Sequence, residues 1–312
     1  MTGGMVRWGR ALAAVFLATV LIAGCTATGA QRSAGVSQPE PSAGKLTVVA
    51  TTTIIADIAR NVAGDRIEVK SLLPVGADPH TFTPTPADVQ TIADSGLVLY
   101  NGGGLESWLD RLVQNAGGQR PVVVVSEGIP VRQIEGEGTD PHFWLDVKNA
   151  MVFTRNIRDA LIKLDPAGAD IYRTNADAYL AKLAELDQWV QDQVEQIPPG
   201  HRKLVTNHDE FGYFAARYGF QVVGAVLGVT PGQEPSAQEV AQLIEKIKAA
   251  GVPAVFTETT VNPALADQIA ADAGVKIVSQ LYVGSLGPAG SGADTYIGMI
   301  RYDVATIVKA LK

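Results

Sequence analysis

From residue 45 onward, short runs of β-branched and apolar residues alternate with stretches whose apolar positions recur every three or four residues. That alternation predicts βα units around a mostly parallel sheet. In the first half, strands are expected near 46–50, 67–73, 97–100 and 122–125, with helices near 54–62, 86–93 and 105–114. The second of these helices opens on Pro86, at a position that the first helical turn tolerates. A second series of the same plan follows, with strands near 203–206, 221–224, 254–257 and 276–281 and helices near 210–218, 237–249, 263–273 and 296–311. Between the two series, Tyr172, Ala176, Tyr179, Leu183, Leu186, Val190 and Val194 keep one helical period over 169–196, and Pro198-Pro199-Gly200 ends it. The fold class expected is α/β: two βα lobes, 45–165 and 199–312, joined by a single long helix within 166–198. At about 1.5 Å per residue that helix is on the order of 40 Å long, enough to run along both lobes, although an ordinary long core helix fits the same pattern.

The start of the chain follows another rule. Arg7 and Arg10 precede an apolar run over 11–23 that ends in Ile22-Ala23-Gly24-Cys25. The run falls short of the roughly 20 apolar residues that span a bilayer, and its basic start and small-residue exit are those of a secretory signal over 1–24. Ile-Ala-Gly-Cys resembles the lipobox of bacterial lipoproteins, which implies cleavage before Cys25 and a diacylglycerol on its sulfur. Residues 25–44 are small, polar and turn-forming, as in a flexible tether. The expected location is therefore the extracytoplasmic face of the cell membrane. Cys25 is the only cysteine, so neither an intrachain disulfide nor a CxxC motif is available. Removing 1–24 takes away two arginines and no acid, moving the formal charge from −7 to −9. So acidic a chain has no general electrostatic footprint for nucleic acid, while cations are not disfavoured.

Candidate chemistry rests on the four histidines, His80, His142, His201 and His208. Three of them are expected in loops that follow strands: His80 after the second, His142 after the fourth and His208 after the first strand of the second series. Ligands of open α/β sheets bind outside the carboxyl ends of strands, so these three can converge between facing lobes. Imidazole suits zinc, copper, iron and nickel. Pro79 and Pro141 push the aspartates before them toward extended conformations and pre-orient both loops. His201, in the turn Pro198-Pro199-Gly200-His201, reads as a solvated loop residue. Asp146 and Asp209 are candidate acceptors for an imidazole N–H. Phe143 and Trp144 are placed either to shield a bound ion or simply to pack. Asn101-Gly102-Gly103-Gly104 is read as a tight strand-to-helix turn rather than an anion cradle.

The segments LPVGADPHTFTPTPADV, DPHFWLD, TNHDEFGYFAARYGF and DTYIGMIRYDVATIVKAL, in that order, resemble the zinc and manganese solute-binding proteins of bacterial ABC importers. The resemblance implies two α/β lobes joined by a rigid helix, metal held at their interface by His80, His142 and His208, and a permease with its ATPase as partners of a monomeric protein. One position departs from the family. Many members carry an aspartate after the last strand, where this chain reads Leu281-Tyr282-Val283-Gly284-Ser285-Leu286-Gly287. Water, Asp78 or Glu258 are then the candidates for the fourth place around the ion. Manganese-type members usually have glutamate where His208 stands, and manganese favours oxygen donors, so the expected ion is Zn2+ in preference to Mn2+.

Two readings from other classes compete. Three histidines with an open position also describe a catalytic zinc, but the chain has no HExxH or GxSxG, and helical HD-type phosphohydrolases do not alternate strands with helices. A surface adhesin fits the lipoprotein start and leaves the histidines unexplained.

Overall fold

A computed structural model of the chain describes Met1 and residues 45–312 apart from residue 233. The expected signal peptide, the lipidation of Cys25 and the tether fall outside the described residues. In chain order, β1 (Thr47–Ala50), α1 (Thr53–Ala63), β2 (Glu68–Ser71), α2 (Pro86–Ala93), β3 (Leu97–Tyr100), α3 (Leu109–Ala116) and β4 (Val122–Val124) build the first sheet and its helices. The short strands β5 (Gln133–Ile134) and β6 (Gly138–Thr139) and the helix α4 (Val147–Leu164) come next, and then α5 (Ala169–Val194). The second sheet is built by β7 (Lys203–His208), α6 (Gly212–Tyr218), β8 (Gln221–Leu227), α7 (Ala237–Ala250), β9 (Ala254–Glu258), α8 (Ala264–Ala273), β10 (Lys276–Leu281) and α9 (Tyr296–Leu311).

The sheets run in the orders β2-β1-β3-β4 and β10-β9-β7-β8, and every neighbouring pair in them is parallel. In the first sheet the strand order reverses between β1 and β3, and in the second between β7 and β9. Each reversal opens a crevice at the strands' carboxyl ends.

Local chemistry sets the helix starts. The Thr52 hydroxyl accepts the Ile55 amide before α1, and Thr85 with Asp88 and Ser236 with Glu239 form reciprocal capping boxes before α2 and α7. Gly102, Gly103 and Gly104 all adopt positive φ, so the chain turns sharply after β3 and α3 begins at Leu109 rather than 105. Asn101 N and Gly102 N donate to the buried Glu106 carboxylate at 2.7 and 3.1 Å, which occupies the amides an anion would use and supports the turn reading.

The long helix α5 spans 26 residues, inside the expected 166–198, and buries the seven residues whose period marked it, together with Asp187. It packs against α1 and α4 on the side of the first sheet and against α6 and α9 on the side of the second. One continuous apolar cluster results, running from Val48 and Ile55 through Tyr172, Leu183 and Val190 to Phe256, Met299 and Ile307. Helix α4 and the strands β5 and β6 were not among the elements expected. The helix α4 carries apolar positions at Val147, Ala150, Met151, Ile157 and Leu161, but Lys148, Arg155, Arg158 and Lys163 dilute them in the sequence. The β5–β6 pair is too short to leave a period. In addition, β7 continues through His208, which is therefore the last residue of a strand and not a loop residue.

Leu183 is fully buried in this shared core, so Leu183→Ala should cost about 2 to 5 kcal/mol in a urea titration. A second expectation concerns the turn into α5, where Arg66 forks onto Asp165 and the Tyr172 hydroxyl donates to the same carboxylate. The hydrogen bonds from Arg66 and Tyr172 hold Asp165 down at about 2, below its unfolded value of about 3.9. A depressed carboxylate stabilises the fold above its unfolded pKa and loses that contribution as pH falls through the folded one. Asp165→Asn should accordingly lower the thermal midpoint by a few degrees at pH 6, and its deficit against the parent should close between about pH 4 and pH 2.

Candidate metal centre

The two Asp-Pro-His segments fold alike. Oδ1 of Asp78 accepts the His80 amide at 2.9 Å, and Oδ1 of Asp140 accepts the His142 amide at 3.0 Å, so each aspartate closes a turn around its proline and aims the imidazole. The turns are then anchored to the first half. The Trp108 indole donates to Pro79 O at 2.9 Å, and Asn101 Nδ2 donates to Pro141 O at 2.8 Å. His208 is held differently, by its place at the carboxyl end of β7, one of the two strands at the reversal of the second sheet.

These three histidines, on separate segments, meet. Their ring centroids lie 5.2 Å apart for His80 and His142, 5.2 Å for His80 and His208, and 4.8 Å for His142 and His208. One ring nitrogen from each lies within 4.8 Å of the others. His201 is elsewhere, with Nδ1 at 3.0 Å from Leu311 O.

Proton positions follow from the partners. Asp140 Oδ1 lies 2.9 Å from His142 Nδ1, and Arg132 pairs with the other Asp140 oxygen, so the carboxylate accepts the Nδ1 proton and leaves the Nε2 lone pair free. That lone pair points at His80 Nε2, 3.1 Å away. Two nitrogens on one tetrahedral zinc sit about 3.4 Å apart, so the pair is nearly at ligand spacing. The Val229 carbonyl, 2.7 Å from His208 Nε2, can only accept, which puts a proton there and turns Nδ1 toward the interior. Burial pushes His80 down to about 2, helped by the charges of His142 and His208, and burial also holds His142 well below its ordinary value. Both rings are therefore neutral donors at physiological pH.

Two buried carboxylates stand beside His208. Glu258 Oε1 is 3.1 Å and Glu210 Oε2 3.3 Å from Nδ1, and these three residues form a second cluster of potential donors that shares His208 with the first. Burial alone would lower His208, but the charges and hydrogen bonds of Glu210 and Glu258 outweigh it and raise the ring well above its usual value. Burial, with the neighbouring Glu258 charge, pushes Glu210 up to about 8. For Glu258 burial works the same way, yet hydrogen bonds from His208 and Thr260 keep it below the usual carboxylate range. The acceptors expected from the sequence are thus replaced. Asp146 caps α4 by accepting the Lys148 amide at 2.8 Å, and the acceptor of His142 is Asp140. The acids on His208 are Glu210 and Glu258, not Asp209. Asp78 spends both oxygens on His80 N and Thr81 Oγ1 within its own turn. The signal for Asp140 was the repeated Asp-Pro-His, readable once both copies are compared. Glu210 left none.

Gly284 does face this cluster. It follows a bulge in β10, where Gln280 has φ 73° and the register shifts before Leu281 pairs with Glu258. The loop is tied across the crevice: the Trp144 indole donates to Val283 O at 2.9 Å, and Ser285 Oγ accepts the Gly76 amide at 2.9 Å. Trp144 also lies edge-on to His142, with centroids 5.4 Å apart, closing one side of the centre.

A two-sheet architecture with an enclosed, nitrogen-rich crevice at the strands' carboxyl ends defines a solute-binding protein for a small cation. Residues 48–310 match the family described as zinc-uptake complex component A, periplasmic. A manganese-binding lipoprotein of Halalkalibacterium halodurans is 40% identical over 267 residues, covering 85% of this chain and 88% of that protein. A metal ABC transporter substrate-binding lipoprotein of Streptococcus parasanguinis is 34% identical over 280 residues, covering 86% and 90%. Among solved structures, the periplasmic zinc-binding protein of Treponema pallidum superposes with a TM-score of 0.82 at 34% identity, over 86% of this chain and 99% of that one. A manganese-bound periplasmic metal-binding protein of Candidatus Liberibacter asiaticus gives 0.78 at 29% identity, over 86% and 100%. The chain belongs to this family of metal-binding components of ABC importers. Its members are solute-binding proteins rather than enzymes, which removes the hydrolase reading.

Proposed function

We propose that the chain captures a divalent transition ion, zinc in preference to manganese, through Nε2 of His80, Nε2 of His142 and Nδ1 of His208, and passes it to a membrane permease driven by an ATPase. The observation that carries this is the meeting of three imidazoles from three separate segments, with two nitrogens 3.1 Å apart. Such convergence of imidazoles has little structural use without an ion, because the rings give up hydration for no apolar gain. Three nitrogens favour zinc over manganese, which takes oxygen donors more readily. Manganese is the second reading, supported by the buried Glu210 and Glu258 and by relatives named for manganese. An anchor on Cys25 would hold the protein at the outer face of the membrane, in keeping with relatives named as lipoproteins.

The reading is of capture and delivery, with no bond made or broken in the cargo. The ion bridges segments from both sheets, and the continuous core around α5 restricts closure to small movements of the crevice loops. A permease would then read the loaded state from the ordering of those loops.

Full-length protein stripped with chelator and titrated with zinc against manganese, in competition with a chromophoric chelator, should bind one equivalent and prefer zinc. His80→Ala should abolish tight binding while leaving the apo thermal midpoint near the parent's, and His208→Ala should abolish it with a lower apo midpoint, because the buried Glu258 loses its partner. Equal zinc affinity in parent and His208→Ala would remove the assignment. Asp140 acts through His142, and loss of such a supporting carboxylate costs about 10- to 100-fold in metal affinity, which is the weakening expected for Asp140→Asn in the same titration.

A further inference from the structure

Imidazoles that ligate through a ring nitrogen bring no negative charge to offset a divalent ion, and the chain offers no side chain at position 284 to complete its surroundings. The geometry beside His208 shows what stands there. Glu258 closes β9, the other strand at the reversal of the second sheet, so its carboxylate and the His208 ring leave adjacent strands at the same edge. Its Oε1 is 3.1 Å from His208 Nδ1, the same separation as between the Nε2 atoms of His80 and His142. A Cβ placed on Gly284 would come within 2.8 Å of Thr260 Oγ1 and 3.4 Å of Glu258 Oε2. The space a side chain at 284 would enter is therefore already held by Glu258 and the hydroxyl that hydrogen-bonds to it. A second observation points to a cation at this place. Glu210, 1% exposed and lining the same cleft, has an oxygen, Oε1, with no hydrogen-bond partner.

We propose, on the reading that the three histidines hold the ion, that Glu258 is its fourth ligand, donating Oε1 from the end of β9 in place of a side chain at position 284. An ion between His208 Nδ1 and Glu258 Oε1 takes the place of the proton those atoms otherwise share. It also gives the unpartnered oxygen of Glu210 a positive neighbour. Thr260 then acts as a positioning residue, because its hydroxyl holds Oε2 of Glu258 and leaves Oε1 to the ion. The donor set becomes three nitrogens and one anionic oxygen, and two carboxylates balance the charge of a divalent cation.

The test uses the full chain, stripped of metal, with zinc in chelator competition and cobalt(II) as a visible probe of coordination. Parent, His80→Ala, Glu258→Gln and the double variant Glu258→Gln with Gly284→Asp are compared. Gly284 is not among the glycines at positive φ, so its backbone accepts an aspartate, and Thr260 is free to rotate once the carboxylate at 258 is gone. Because losing a carboxylate that merely supports a ligand costs about 10- to 100-fold, Glu258→Gln should lose at least about 100-fold in zinc affinity and change the cobalt absorption bands. The double variant should recover at least about 10-fold of that loss, since the introduced aspartate restores an anionic oxygen from the facing loop. Glu258→Gln binding within about threefold of the parent, while His80→Ala fails, overturns the fourth-ligand assignment and leaves the histidine site standing. A loss in Glu258→Gln with unchanged cobalt bands and no recovery in the double variant reduces Glu258 to a residue that positions His208, and overturns the assignment as well. If the parent itself binds neither ion, the reading beneath it has failed, which the His80→Ala control distinguishes.

Discussion

Three imidazoles and two carboxylates have been taken out of water at one point, and everything around them is arranged to make that tolerable. An unpaired buried charge or an unsatisfied buried ring is expensive, so the site persists only because the surroundings hold each group against a partner. His142 has Asp140, which Arg132 holds in turn, and His208 lies between the Val229 carbonyl and two glutamates. Those partners come from both halves of the chain. Their registry is only as good as the rigidity of the joint, and the joint is the apolar cluster around α5, continuous from Val48 to Leu311. The long helix is thus more than a tether between lobes, because it makes one core out of two sheets.

This arrangement limits how the crevice can work. Solute-binding proteins with flexible joints close over their ligand by rotating domains, at the cost of exposing and reburying the joint. Here Tyr172, Tyr179, Leu183 and Leu186 are buried between elements of both halves, so a large rotation would break core packing. What can move at lower cost are the loops that carry His80 and Gly284, joined across the crevice by Ser285, Gly76, Trp144 and Val283. Local ordering of loops around a small ion fits a cargo with no body to enclose.

On the proposed reading, the chain illustrates how a metal centre tolerates the absence of a side chain at one position. Gly284 contributes nothing, and the bulge at Gln280 brings its loop down onto Glu258 and Thr260. Two strand ends, β7 and β9, present an imidazole and a carboxylate side by side because parallel neighbours in register finish at the same edge. Anionic oxygen is therefore available from the sheet itself, which is stiffer than a loop and better suited to hold a fixed donor.

Much of this was legible before any coordinate. Periodicity located α5 to within a few residues and all eight strands of the two parallel sheets, because strand and helix periods are local properties of side-chain placement. The three histidines stood out because only four occur and three follow strands. Helix α4 was missed where basic residues dilute its apolar stripe, and β5 and β6 are too short to leave a pattern. Residue order alone sufficed for the class of fold, the long connecting helix and the candidate nitrogen donors. Their partners were settled by the folded arrangement: His142 answers to Asp140 and not Asp146, His208 answers to Glu210 and Glu258 and not Asp209, and Glu258 faces Gly284. Secondary structure follows from neighbours a few bonds away, whereas the partner of a buried charge is chosen by which strand ends meet across a crevice, and no period in the chain records that.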